Sequence, residues 1–135
     1  MSKDWVKDIH DMHEKFGVHD VVDNFDSEKL KTFLSFRTAF LREELNELET
    51  AQTAEDVVDA LIDLCVVAIG TLDLYSVDAY KAWDEVHRAN MEKVPGVKAS
   101  RPNPLGLPDL IKPAGWTGPD HSENWGTLIA FMEAK

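Results

Sequence analysis

Apolar residues recur at helical spacing through the first two-thirds of the chain and nowhere alternate in the period-two manner of a strand. Residues 1 to 94 contain no proline and only two glycines, Gly17 and Gly70, so nothing there forbids long helices. Trp5, Ile9, Met12 and Phe16 predict a first helix from about Asp4 to Phe16, with Asp4 as N-cap and Gly17 just past its end. A loop carrying Asp20, Asp23, Asn24 and Asp26 is expected next. A second helix is predicted from near Ser27 to about Thr50. A third follows Thr53 and reaches about Tyr75, with Asp56 in the first turn, where negative charge suits the helix dipole. A fourth runs from after Asp78 to near Lys93. All six prolines fall at or after position 95, so residues 94 to 124 read as an irregular Pro/Gly-rich tail, closed by a short helix over 125–134. The predicted fold is all-α: a four-to-five-helix bundle in one domain, 1–135, with a helical core over 4–93 and a wrapping tail over 94–135.

The acids occupy unexpected positions in this pattern. At about 100° per residue, Glu43, Glu44 and Glu47 continue the stripe formed by Phe33, Phe36 and Phe40, instead of a separate polar face. The third helix reads VVDALIDLCVVAIGTL from Val57 to Leu72, and a helix apolar on every side is expected to be buried. Its acids Asp56, Asp59 and Asp63 fall within about 60° of one another on the wheel. Burying unpaired carboxylates is costly, and no lysine or arginine lies between positions 43 and 80 to neutralise them. Such a set asks for a divalent cation. All-oxygen ligands point to Mg²⁺, with Mn²⁺ as a substitute, and Mg²⁺ on carboxylates commonly serves a phosphorylated substrate. The competing view is a solvated acidic face, which the collinearity with the phenylalanines and the second acid stripe both oppose.

Charge and composition narrow the partners. The chain has 135 residues, with 25 acids against 14 Lys plus Arg, a net −11. A surface this negative disfavours nucleic acid and anionic membranes. No apolar run approaches a membrane span, and the N-terminus lacks a signal peptide's apolar stretch. One cysteine, Cys65, excludes an internal disulfide and reads as an inert core residue in a reducing cytoplasm, that of a host cell if the gene is a phage's.

Four segments, in order, carry a family resemblance. Glu43-Glu44-Leu45-Asn46-Glu47, followed by Asp56-Val57-Val58-Asp59, resembles the EExxE…ExxD signature of the all-α nucleoside triphosphate pyrophosphohydrolases, which include MazG, the dimeric dUTPases and phosphoribosyl-ATP pyrophosphohydrolase. His13-Glu14-Lys15-Phe16-Gly17, the run from Asp84 to Lys93, and Lys112-Pro113-Ala114-Gly115-Trp116 with Pro119-Asp120 resemble segments of the phage-type, phosphoribosyl-ATP-pyrophosphohydrolase-like branch. The resemblance spans about 10 to 120. Asp56 stands where the signature has glutamate, one methylene shorter.

The resemblance implies that Glu44, Glu47, Asp56 and Asp59 bind Mg²⁺, with Glu43 a further ligand or a positioning base and Asp63 supporting the site. It implies attack of a metal-activated water on the α-phosphorus of a (deoxy)nucleoside triphosphate, giving the monophosphate and pyrophosphate, in a nucleotide-pool role. Arg88 and Lys93 are then phosphate contacts, Asn90 a sugar or phosphate contact, and Trp116 part of a nucleotide-pocket lid. On the residues alone, Arg88 reads more readily as a surface ion-pair partner. His10 and His13, spaced i, i+3 beside Glu14, read as a solvated or partly packed face, with a second metal site as the alternative. The surplus of apolar helix surface predicts a homodimer or homotetramer. The rivals are a phosphoribosyl-ATP or dUTPase-like substrate, a di-iron bundle, and a non-catalytic helical interaction protein. The di-iron pattern is poorly met, because Asp84…His87 is the only acid–His pair near it.

Overall fold

The structure is a computed structural model and describes residues 1–100 and 103–135; residues 101 and 102 of the Pro/Gly-rich segment lie outside the described residues. Two compact units divide it. The first comprises 1–79 and 122–135, the second 80–121.

The first unit is helical because its boundaries are chemically marked. Helix α1 (Trp5–Lys15) begins where the Asp4 carboxylate accepts from the Lys7 N–H at 2.9 Å, and ends at Gly17, whose φ of +70° few other residues adopt cheaply. The expected loop then contains a short helix, α2 (Val18–Val22), before the Asp26 carboxylate caps α3 (Ser27–Thr50) by accepting from the Lys29 N–H. Turn residues obscured α2: five residues carry too little periodicity to be read. Residues 51–53 join α3 to α4 (Ala54–Leu74), whose first turn is capped by the Thr53 hydroxyl, accepting from the Asp56 N–H at 3.1 Å. A connection that short makes α3 and α4 antiparallel neighbours. Helices α3 and α4 pack along each other, and α1 lies against α4.

The core of this unit gathers Val22, Leu30, Leu74 and Tyr75, flanked by Phe25, Phe33, Leu128 and Phe131. Tyr75, 1% exposed, donates its hydroxyl to the Leu30 carbonyl at 2.6 Å, so its polar tip is satisfied inside the apolar cluster. The closing segment 125–134, expected as a short α-helix, forms a 3₁₀ turn over Gly126–Ala130 that packs on α3. Gly70 has a packing reason: a Cβ there would lie 2.9 Å from Arg37 Nη2 and 3.2 Å from His13 Cε1. Arg37 spends its guanidinium on the Thr71 hydroxyl and the Val67 carbonyl, and burial lowers its pKa.

One expectation needs correction. Helix α4 is not buried all round within the chain. Val58, Leu61 and Ile62 are exposed, as are Asp56 and Asp59, because α3 and α1 cover only part of its circumference. Among the described residues, no helix is long and apolar enough to cross a membrane.

The second unit is built on α5 (Ala79–Met91), which ends two residues before the predicted Lys93. The tail is more regular than its prolines suggest. Strands β1 (Val94–Gly96) and β2 (Asp109–Ile111) form an antiparallel pair with Pro95 opposite Leu110. Gly96 sits where a Cβ would meet Ile111 Cγ1 at 2.5 Å, so the ladder closes only over a bare backbone. The Asp109 carboxylate, on a buried residue, accepts from the Lys98 N–H.

Candidate functional site

Helix periodicity puts Glu43, Glu44 and Glu47 near one another on α3, but packing gives them different environments. Glu44 is buried at 8% exposure, whereas Glu43 and Glu47 are exposed. Across the α3–α4 contact, Asp63 is half-buried. Carboxylate oxygens of Glu44, Glu47 and Asp63 lie within 4.8 Å of one another. Glu44 Oε2 is shut off from solvent and has no hydrogen-bond partner. Burial pushes the Glu44 carboxyl up from its usual range, and the charge of Glu47, a hydrogen bond shared with it, and the charges of Asp63 and Glu43 push it further the same way.

Asp56 and Asp59 stand one to two turns earlier on α4. With Glu47, Thr50, Ala51 and Ala60 they line a pocket of about 240 Å³. Glu47 therefore belongs to both groups, joining the tight triad to the shallower Asp56–Asp59 pocket. Asp63, expected only as support, is a full member of the triad.

The donor set suits a hard cation. It is all oxygen, it concentrates negative charge, and it leaves one buried oxygen without a partner. Mg²⁺ fits these residues; Glu44, Glu47 and Asp63 would hold it, with Asp56 and Asp59 beside them.

The remaining expected site residues fall in the second unit. Arg88 is engaged in ion pairs with Glu92 at 2.9 Å and Glu85 at 3.5 Å, and donates to the Gly118 carbonyl. Lys93 donates to the Asn90 side-chain oxygen at 3.1 Å. Trp116 donates its indole N–H to the Ala89 carbonyl at 2.7 Å, close to the C-terminus of α5. Lys93 and Lys112 stand over its ring at 5.5 and 5.0 Å. A tryptophan in a Pro/Gly-rich segment thus has a fixed seat, flanked by two cations.

A second cluster went largely unread in the sequence. His10 and His13 on α1 and His19 on α2 all turn toward Asp73 on α4, with ring nitrogens 2.6 to 2.7 Å from its carboxylate oxygens. His13 is buried, not solvated. His19 also meets Glu14 through its other nitrogen. For His19, burial alone would lower the pKa, but hydrogen bonds to Asp73 and Glu14 outweigh it and raise it. For Asp73, burial is likewise outweighed by the three imidazoles, which lower its pKa. The sequence signal was three histidines, at 10, 13 and 19, around Gly17; their common partner is 54 to 63 residues away.

With this geometry in hand, the comparison with known families is decisive. A family model described as phosphoribosyl-ATP pyrophosphohydrolase matches residues 11–90. The chain belongs to this family. The match covers every carboxylate of the α3–α4 site and ends before Lys93 and Trp116. Among curated proteins, none matches the chain. Membership in the phosphoribosyl-ATP pyrophosphohydrolase family supports pyrophosphohydrolase activity on a nucleotide.

Proposed function

We propose that the protein hydrolyses (deoxy)nucleoside triphosphates to the monophosphate and pyrophosphate, with Mg²⁺ as cofactor and Mn²⁺ as substitute. The observation that carries this reading is Glu44: a buried carboxylate with an unpartnered oxygen, raised in pKa, and packed against two further acids. That arrangement is unfavourable without a cation and useful with one. When bound, Mg²⁺ supplies neutralisation of triphosphate charge and acidification of a coordinated water.

The chain's own residues have distinct parts. Glu44, Glu47 and Asp63 hold the cation, their oxygens within 4.8 Å of one another and Glu44 buried among them. Asp56 and Asp59 extend the acidic lining along the adjoining pocket. Glu43, exposed beside the triad, accepts a proton from or orients the attacking water. Lys93, Asn90 and Trp116 are substrate-binding residues, the lysine supplying positive charge for phosphate. Arg88 can contribute to phosphate binding only by exchanging its pairs with Glu85 and Glu92.

The family description itself favours a second substrate, phosphoribosyl-ATP, for which the bond cleaved is the same. The reading also includes a cytoplasmic location and a homo-oligomer, the latter because exposed Val58, Leu61 and Ile62 leave an apolar face on α4.

Product analysis by anion-exchange chromatography or ³¹P NMR tests the proposal, using dNTPs, NTPs and phosphoribosyl-ATP with and without Mg²⁺. Monophosphate plus pyrophosphate, only with metal, is expected. Diphosphate plus orthophosphate, or turnover in excess chelator, would overturn it. Glu47→Ala and Asp59→Ala should each abolish turnover while leaving the helical circular dichroism intact.

A further inference from the structure

The geometry points to a second metal site, distinct in chemistry from the carboxylate triad: a zinc-class ion held by His10, His19 and Asp73. The donor atoms of these three side chains lie within 4.8 Å of one another. Imidazole nitrogens with one carboxylate are the ligands of a borderline transition ion, not of Mg²⁺. Tetrahedral bonds of about 2.0–2.1 Å set donor atoms roughly 3.3 Å apart. The Asp73 contacts of His10 and His19, 2.7 and 2.6 Å, need open by only about half an ångström to admit the ion.

The surroundings are those a metal ligand requires. A ligating histidine commonly donates its second ring nitrogen to a carboxylate, which fixes tautomer and orientation. His19 does this: Nε2 faces Asp73 and Nδ1 faces Glu14. Asp73 is held in turn by His13, whose Nδ1 lies 2.7 Å from Oδ2. The rings of His10 and His19 lie side by side, centroids 4.6 Å apart, both facing the carboxylate. The His10 side chain is 53% exposed and Asp73 11%, so an ion has a solvent path to a mostly enclosed acceptor. Charge also balances. Two carboxylates, Asp73 and Glu14, match one divalent ion with all imidazoles neutral. Arg37, the nearby cation across Gly70, is turned to Thr71 and Val67. A bound ion would tie α1 and α2 to the last turn of α4, beyond Asp63 of the carboxylate triad on the same helix. This inference does not depend on the proposed hydrolysis.

The test uses the full chain, stripped with chelator and dialysed into millimolar Mg²⁺ to fill hard-cation sites. Zn²⁺ binding is measured by calorimetry, and Co²⁺ by its tetrahedral visible absorption. About one Zn²⁺ per chain is expected, with a Co²⁺ spectrum showing nitrogen ligation. His10→Ala should weaken binding at least roughly tenfold, and Glu14→Gln by a similar factor through the orientation of His19. Asp73→Asn should abolish it. His10 is exposed, so His10→Ala keeps its fold and decides the matter if Asp73→Asn does not. Glu47→Ala should bind Zn²⁺ as the wild type does. No stoichiometric binding in Mg²⁺, unchanged affinity in His10→Ala, or loss of binding in Glu47→Ala instead would each overturn the site.

Discussion

Gly126 offers the sharpest test of how the first unit closes. Its φ is +53°, and a Cβ built there would lie 1.8 Å from the Tyr75 carbonyl oxygen, and 2.8 Å from the carbonyl carbons of Tyr75 and Ser76. These are backbone atoms at the end of α4, so no side chain can swing aside. Ordinary contact needs about 3.5 Å, so Gly126→Ala must push the 3₁₀ turn back by roughly 1.5 Å. That displacement breaks the 2.8 Å bond from the Thr127 N–H to the Tyr75 carbonyl and lifts Leu128 and Phe131 from the core cluster. One lost hydrogen bond costs about 1 kcal/mol. The left-handed backbone adds about 1 kcal/mol. Partial exposure of two large side chains adds about 1–3 kcal/mol. A loss of about 3–5 kcal/mol corresponds, for a chain of this size, to a fall in Tm of roughly 10–20 °C. Gly17→Ala supplies the control: its φ is +70°, but nothing lies within 4 Å of the added carbon. It should cost only about 1 kcal/mol. Thermal melts by circular dichroism, with limited proteolysis of the C-terminal segment, read both variants. Equal shifts for the two glycines, or a Gly126→Ala protein melting within about 2 °C of wild type with its tail still protected, would refute the close-approach argument.

Other expectations follow from single contacts. Glu44→Gln removes a buried charge from beside Glu47, Asp63 and Glu43, so it should melt higher than wild type in chelator, yet lose the Mg²⁺-induced rise and cut turnover by roughly 100-fold or more. Melting the two proteins with and without Mg²⁺, alongside turnover assays, checks all three signs. Tyr75→Phe deletes the donor to the Leu30 carbonyl and leaves that acceptor buried; a cost of about 1–3 kcal/mol is expected from denaturant unfolding. The Asp120 N–H and then Arg88 hold the Glu85 carboxyl below its usual pKa. A depressed carboxylate stabilises above its unfolded pKa and loses that contribution as pH falls through its folded value. The protection factor of the Asp120 amide, its exchange rate relative to the intrinsic rate at each pH, should therefore fall in acid, and Glu85→Gln should show the lower protection already at neutral pH.

The sequence by itself determined whatever depends on neighbours three or four residues apart. Asp4, Asp26 and Thr53 cap helices because a short polar side chain reaches the free N–H groups of the next turn, and this is a local property. The same periodicity put Glu43, Glu44 and Glu47 near one another, and Asp56, Asp59 and Asp63 on one side of the next helix. The segments that resemble the pyrophosphohydrolase superfamily were legible as short runs of residues in a fixed order along the chain. What periodicity lacks is the rotation and stagger of one helix against another. That is fixed by side-chain packing along the α3–α4 contact, and it made Asp63, rather than Asp56 or Asp59, the third member of the triad around buried Glu44. Only the tertiary structure could join His10, His13 and His19 to Asp73 across more than 50 residues, because no local rule links an α1 histidine to the last turn of α4. The β1–β2 pair and the seat of Trp116 on Ala89 also escaped the sequence, since three-residue strands and a single indole bond leave no period to read.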